Sequence, residues 1–255
     1  MTSNKVIVIT GASSGIGAAL AEQLGAQGHQ LVLGARREPQ LHQVAEPFGE
    51  NALAVVCDVC RRSEVEQLRD AALQRFGQVD VWVNNAGRGI NRPVLELSDS
   101  EVDEMLAVNL KSALYGMQAI VPYFQKCGQG HLINISSFLG RIPFVSNRSI
   151  YSASKAALNS LTANLRMDLA TAYPDIHISL VMPGVVATGF SADALGAATG
   201  AAPIPGAQTA SEAAAVIAAL IEHPVAEIYT NPANTPELVQ RYFADPAAFE
   251  ASNRR

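Results

Sequence analysis

Two side chains four residues apart hold the clearest chemical potential in this chain: Tyr151 and Lys155, within Ile150-Tyr-Ser-Ala-Ser-Lys155. Good helix formers follow (Ala156, Ala157, Leu158), so the segment reads as the first turns of a helix. At i, i+4 the phenol and the ammonium share one face, with Cβ atoms about 5–6 Å apart. A free phenol has a pKa of ~10, too high to trade protons readily at neutral pH. A cation ~4 Å away at an effective dielectric of ~20 contributes about 4 kcal/mol, or about three pKa units. That shift brings Tyr151 near 7, where a general acid/base is most effective. The pair alone also fits a surface tyrosine and lysine on an amphipathic helix, so the elements around it must decide.

Lys5 to Thr10 is a β-branched run, apolar on both faces, the pattern of a central parallel strand covered by helices. Thr10-Gly11-Ala-Ser13-Ser14-Gly15-Ile16-Gly17 follows, and a helical pattern runs from Ala18 to about Gln27. Strand, glycine-rich turn and helix together form a phosphate cradle: Gly11 allows the turn, Gly15 admits a pyrophosphate, and Gly17 lets the helix pack on the strand. The same spacing also suits a purely structural αβ turn. A second strand, Gln30 to Ala35, runs into Arg36 and Arg37, with no acidic residue at its end. In a dinucleotide fold an acid there would bind the adenosine ribose diol, whereas arginine accommodates a 2′-phosphate. A third strand (51–57) has Asp58 and Val59 at its carboxyl end, and a fourth (79–83) runs into Asn84-Asn85-Ala86-Gly87.

A long helix spans about Ser98 to Lys126 and carries Asn109 inside it, a poor helix-interior residue because its amide competes for backbone groups. Gly130 to Ile135 is the fifth strand and ends on Ser136 and Ser137. A helix over 150–172 and a sixth strand over 176–182 lead to Pro183-Gly184-Val185-Val186-Ala187-Thr188. Residues 189–208, rich in Gly, Ala and Pro, read as a mobile substrate lid. A helix over 210–221, a seventh strand over 226–230 and a half-helical tail complete the chain, with 244–255 expected to be flexible. The alternation predicts an α/β fold, a doubly wound parallel sheet of about seven strands with helices on both faces, in one domain over 1–255. In such sheets ligands lie beyond the carboxyl ends of the strands, where every polar group singled out above converges.

Composition excludes several classes. The chain has 255 residues, 49% hydrophobic and 16% charged, with a net charge of −5 and no basic run long enough to track nucleic-acid phosphates. No apolar run is long enough to span a bilayer, and the N-terminus is too short and polar before its first strand to be a signal peptide. Cys57 and Cys60 have the Cys-x-x-Cys spacing but no second ligand pair, so no metal site is expected, and with Cys127 they read as inert thiols in a reducing cytoplasm.

With these residues placed, the chain resembles the single-domain branch of the short-chain dehydrogenase/reductase family over residues 5 to about 230. The resemblance rests on the 10–17 turn, Asp58-Val59, Asn84–Gly87, Asn109, Ser137, Tyr151-Ser-Ala-Ser-Lys155 and Pro183–Thr188 in that order. It implies reversible hydride transfer between a nicotinamide cofactor and a carbonyl or alcohol. Tyr151 would exchange the proton, and Lys155 would hold the nicotinamide ribose and lower the Tyr151 pKa. Ser137 would stabilise the substrate oxygen, and Asn109 would support a water leading to Lys155. Asp58 and Val59 would flank the adenine. Asn85, Ala86 and Gly87 would line the ribose region, and Val186 and Thr188, with Pro183 and Gly184 before them, would meet the carboxamide. Arg36, Arg37, Ser13 and Ser14 favour NADP(H), with NAD(H) as the fallback. The family also implies a dimer or tetramer through the helices over 98–126 and 150–172.

The family usually spaces its serine thirteen residues before the tyrosine, which here is Phe138, while Ser137 stands fourteen before. The flanking Ile-Asn-Ile-Ser-Ser-Phe-Leu-Gly matches with Ser137 as the serine, so one residue is inserted within 141–149. Phe138, Leu139, Phe144, Val145, Ile150 and Phe190 suggest an apolar substrate pocket, while Arg88, Arg141 and Arg148 read either as solvated loop arginines, the favoured reading, or as groups that meet an anionic substrate. The rival function is a non-catalytic dinucleotide-binding sensor on the same fold, which would have no need of Ser137, Tyr151, Lys155 and Asn109 together.

Overall fold

A computed structural model describes residues 4–190, 194–196, 206–231 and 235–252. Seven parallel strands form one sheet in the order β3-β2-β1-β4-β5-β6-β9. These are β1 (Val6–Thr10), β2 (Gln30–Ala35), β3 (Ala52–Val56), β4 (Val81–Asn84), β5 (Gly130–Ile135), β6 (Ile176–Met182) and β9 (Glu227–Tyr229). A short pair, β7 (Val186–Ala187) with β8 (Gln208–Thr209), lies apart from the sheet.

Successive strand residues face opposite ways. Ile7, Ile9, Leu31 and Leu33 therefore pack on α1 (Gly15–Ala26), α2 (Glu38–Ala45) and α7 (Ala210–Glu222). Val8, Val32 and Trp82 pack instead on α3 (Arg62–Phe76), α5 (Ser112–Cys127) and α6 (Ser149–Leu169). Both faces are covered, as all-parallel sheets require, and this is the predicted doubly wound fold in one domain. No helix among the described residues is long and apolar enough to cross a membrane.

The long helix expected over 98–126 is divided. A capping box formed by Ser98 and Glu101 starts α4 (Asp99–Leu106), a π-helical turn covers Ala107–Lys111, and α5 continues. The chain also differs at its end. The tail expected to be flexible forms α9 (Pro246–Ser252) after α8 (Thr235–Ala244). Phe249 is buried against Phe144 and Tyr242, with ring centroids 6.3 and 5.6 Å away. An aromatic anchor six residues from the end was not visible as periodicity in so short a segment. Residues 253–255 lie outside the described residues.

Candidate active site

The chain runs outward in both directions from β1 and β4, so the crevice at their carboxyl ends is the topological switch point. Asn85 stitches it: its backbone N–H donates to Thr10 Oγ1 at 3.0 Å and its Nδ2 to the Thr10 carbonyl at 2.9 Å. The glycine turn lies over this seam. Gly11 (φ +67°) has no room for a side chain, since a Cβ would stand 2.8 Å from Ala86 Cα. Ser14 is the N-cap of α1 yet makes no side-chain cap bond, and no acidic residue stands in the first turn. The opening N–H groups of that helix thus lack a side-chain cap and are positioned to take an anion.

The Ser14 hydroxyl is engaged elsewhere, by Arg37. That guanidinium spans the gap between β2 and the turn, hydrogen-bonding Ser14 Oγ and Ser13 Oγ, the latter at 3.2 and 3.3 Å. Arg37, rather than Arg36, is therefore the arginine held at the turn; Arg36 is exposed on the side of Cys60. Asp58 Oδ1 accepts the Cys60 N–H at 3.0 Å, and Val59 is buried beside it. Burial pushes the Cys57 thiol up to about 12, which suits an inert thiol. A Cβ on Gly15 would stand 3.4 Å from Thr188 Cγ2, so the turn and the Pro183–Thr188 segment face one another. This cradle fits a dinucleotide: a conformation open only to glycine, an uncapped helix N-terminus, and a cation fixed beside two hydroxyls.

Lys155 and Tyr151 on α6, Ser137 just past the end of β5 and Asn109 on the π turn lie across the crevice, all buried. Ser137 Oγ accepts the Leu139 N–H at 3.1 Å and stands near enough to the phenol to draw the Tyr151 pKa down. Ser136 points the other way, to Asn159 Oδ1 and the Lys155 carbonyl on α6. The two serines thus divide as strand alternation predicts, and Ser137 is the one beside the phenol.

Lys155 Nζ donates to the Ile135 carbonyl at 2.9 Å and lies 5.9 Å from the Tyr151 ring centroid. The expected lowering of the Tyr151 pKa toward 7 is not found. Burial raises it above the ordinary phenol value, against the opposing pull of the neighbouring Ser137 hydroxyl and the Arg148 charge. Burial also lowers Lys155, to about 8. The reason is distance and desolvation: the ammonium is tied to a carbonyl instead of lying against the phenol, and both groups are out of water.

Asn109 answers the question of a polar residue inside a helix. The π turn displaces its side chain toward the loop after β4, where Oδ1 accepts the Arg88 N–H and Nδ2 donates to the Arg88 carbonyl, both at 2.9 Å. A Cβ on Gly87 would lie 3.1 Å from Asn109 Oδ1 and 3.6 Å from Lys155 Nζ, so these three groups adjoin.

Residue chemistry had suggested one apolar substrate pocket, but the structure separates its members. Leu139, Ile150 and Phe190 cluster with Tyr151, and Phe190 meets the phenol edge-on with centroids 5.6 Å apart. Phe138 and Phe144 join Phe249 in a second cluster. Of the expected lid, 191–193 and 197–205 lie outside the described residues. The Asn91 N–H donates to the Leu195 carbonyl at 2.7 Å, which docks that part beside Ile90.

Comparison with known proteins places this fold in a family of oxidoreductases. Residues 5–197 match the family model for short chain dehydrogenase. The chain belongs to that family. An uncharacterized oxidoreductase of Staphylococcus epidermidis is 36% identical over 184 residues, covering 72% of this chain and 79% of the relative. A short chain dehydrogenase/reductase from Burkholderia phymatum, solved in complex with NAD, superposes with a TM-score of 0.86 at 29% identity, covering 96% of this chain and 95% of that one. An alcohol dehydrogenase from the archaeon Thermococcus sibiricus, complexed with 5-hydroxy-NADP, gives 0.78 at 30% identity, covering 89% and 96%.

Proposed function

We propose that this oxidoreductase is an NADPH-dependent carbonyl reductase, working reversibly as an alcohol dehydrogenase, with Tyr151 as its general acid/base. The observation that carries the reading is the buried Tyr151 beside Ser137, with Lys155 Nζ 5.9 Å from its ring centroid, at the strand ends that also carry the glycine turn. A bound nicotinamide cofactor would supply the hydride. Gly11, Ser13, Ser14, Gly15, Ile16 and Gly17 would hold its phosphates, with Arg37 and Arg36 at the adenosine end. Asp58, Val59, Asn85, Ala86 and Gly87 would line its middle, and Pro183, Gly184, Val186 and Thr188 its nicotinamide end.

The chain's own groups divide the proton chemistry. Burial keeps Tyr151 protonated in the ligand-free state, so it is ready to give its proton to a carbonyl oxygen. Ser137, already an acceptor from the Leu139 N–H, has its own O–H to aim at the same oxygen as charge builds there. Lys155 is close enough to neutrality to exchange the proton that Tyr151 must recover. Asn109 acts as a positioning residue that fixes Gly87 and Arg88 against Lys155.

The same reading places the protein in the cytoplasm as a homo-oligomer acting on a small carbonyl or alcohol, with 189–208 closing over the substrate. The test is a panel of aldehydes, ketones and secondary alcohols followed by NADPH absorbance. Turnover supports the reading, whereas tight NADPH binding with no turnover across the panel favours the sensor alternative.

A further inference from the structure

The chain directly after Ser137 is gripped from two sides. Phe138–Gly140 forms a single 3-10 turn, and the Gly140 N–H donates to the Ser137 carbonyl at 3.0 Å. On one side the turn lies against the backbone of α6. A Cβ on Gly140 would stand 2.8 Å from the Lys155 carbonyl carbon, and Asn159 Nδ2 donates to the Gly140 carbonyl at 3.0 Å. On the other side the turn meets rings. Phe138 is buried, with its centroid 5.6 Å from Phe144 and 6.2 Å from Tyr229. Phe144 in turn meets Phe249 of α9 edge-on at 6.3 Å, and Leu238, Val239 and Tyr242 of α8 pack on the same cluster. Arg141, favoured from the sequence as a solvated loop arginine, pairs with Glu227 of β9 and so ties down the exit of the turn. Two segments converge here. The 141–149 loop, to which the serine–tyrosine spacing assigns an extra residue, supplies Phe144. The tail formed by α8 and α9, beyond the residues 5–197 that match the family model, supplies Phe249.

We infer that Phe249 is a positioning residue for Ser137. Through Phe144 and Phe138, the C-terminal helix wedges the 138–140 turn against α6 and sets the Ser137 hydroxyl relative to Tyr151. This inference rests on the carbonyl reductase reading, in which that hydroxyl meets the substrate oxygen. An oxyanion donor is effective only where it is held in place beforehand, and a misplacement of about 1 Å costs on the order of 10² in rate. A close-packed ring cluster has little slack, so a gap opened at Phe249 is passed on to Phe138 and the serine bonded to it. The Gly11–Gly17 turn has no member in this cluster, so cofactor affinity should be spared.

The experiment measures kcat, carbonyl KM and NADPH affinity, well below each melting temperature, for wild type, Phe249→Ala, Phe249→Leu, Phe144→Leu and Ser137→Ala. Phe249→Ala and Phe144→Leu are also each combined with Ser137→Ala. Phe249→Ala should lower kcat roughly tenfold, with KM and NADPH affinity within about threefold of wild type, and Phe249→Leu should recover most of the loss. On top of Ser137→Ala the same substitution should cost less than about twofold, because no hydroxyl is left to misplace. A role confined to stability would lower the active fraction by the same factor in both backgrounds. Equal losses with and without the Ser137 hydroxyl, or an unchanged kcat in folded Phe249→Ala, overturn the inference and leave the reductase reading standing. If Phe249→Ala does not fold, Phe144→Leu reads the same coupling from the loop side and is judged by the same two outcomes. No turnover of any carbonyl by wild type defeats both.

Discussion

Cofactor choice should turn on Arg37. Its guanidinium already spans from the end of β2 to the glycine turn, fixed on Ser13 and Ser14, so it need not be ordered when a 2′-phosphate arrives. Ala35 ends β2 with a buried methyl, where a carboxylate would repel that phosphate or grip a free ribose diol. A charge-assisted hydrogen bond contributes about 1.5–3 kcal/mol net. Arg37 is exposed, and screening moves the expectation to the lower end, about tenfold in affinity. The assay is kcat/KM for NADPH and NADH in wild type, Arg36→Ala, Arg37→Ala and the Ala35→Asp, Arg36→Ala double variant. NADPH should be preferred by wild type, more weakly at higher salt. Arg37→Ala should remove most of the preference, Arg36→Ala less, and the double variant should favour NADH. An NADH-preferring wild type, or an Arg37→Ala protein with its preference intact, would refute the reasoning.

Ser137→Ala should lower turnover about 10²–10³-fold, the scale of one oxyanion donor, while Ser136→Ala should act mainly on melting temperature through Asn159. The reverse ranking in steady-state kinetics would move the catalytic serine. Phe249→Ala should destabilise by about 3–5 kcal/mol in denaturant unfolding, because its ring is buried among Phe144, Tyr242 and Phe138. Wild-type stability there would show that α9 is not docked. Stability should also fall with acid through His131, whose pKa burial lowers from 6.5 to about 3. Between those values the unfolded chain binds more protons, so stability is present above pH 6.5 and is lost as pH falls, by roughly 2 kcal/mol at pH 5. His131→Gln should flatten that slope in urea titrations at pH 7 and pH 5; an unchanged slope would assign it to other groups such as His29.

The sheet was legible because β-branched runs such as Val6–Thr10 are apolar on both faces and only a doubly covered strand accepts that. The site was legible for the same reason: Gly11, Ser137, Tyr151 and Lys155 all follow or face strand ends. What could not be read were features set by one side chain's reach across space. Arg36 and Arg37 are adjacent, and only the exit angle from β2 decides which one meets Ser14. The π turn leaves no period of its own in five residues, and Asn109 betrayed it only by being a poor helix former. Tyr151's raised pKa reflects desolvation, which a spacing of four residues cannot express. The 89–91 contact with Leu195 joins segments far apart in sequence, so it had no local signal.

The central claim is that Tyr151 moves the proton, and Tyr151→Phe tests it most directly. The substitution deletes one hydroxyl and leaves the ring against Phe190 and the glycine turn untouched. NADPH-dependent turnover on the best carbonyl of the panel should fall below a few per cent of wild type, while NADPH affinity by fluorescence titration stays within about twofold. A variant that retains more than a few per cent of turnover would contradict the account.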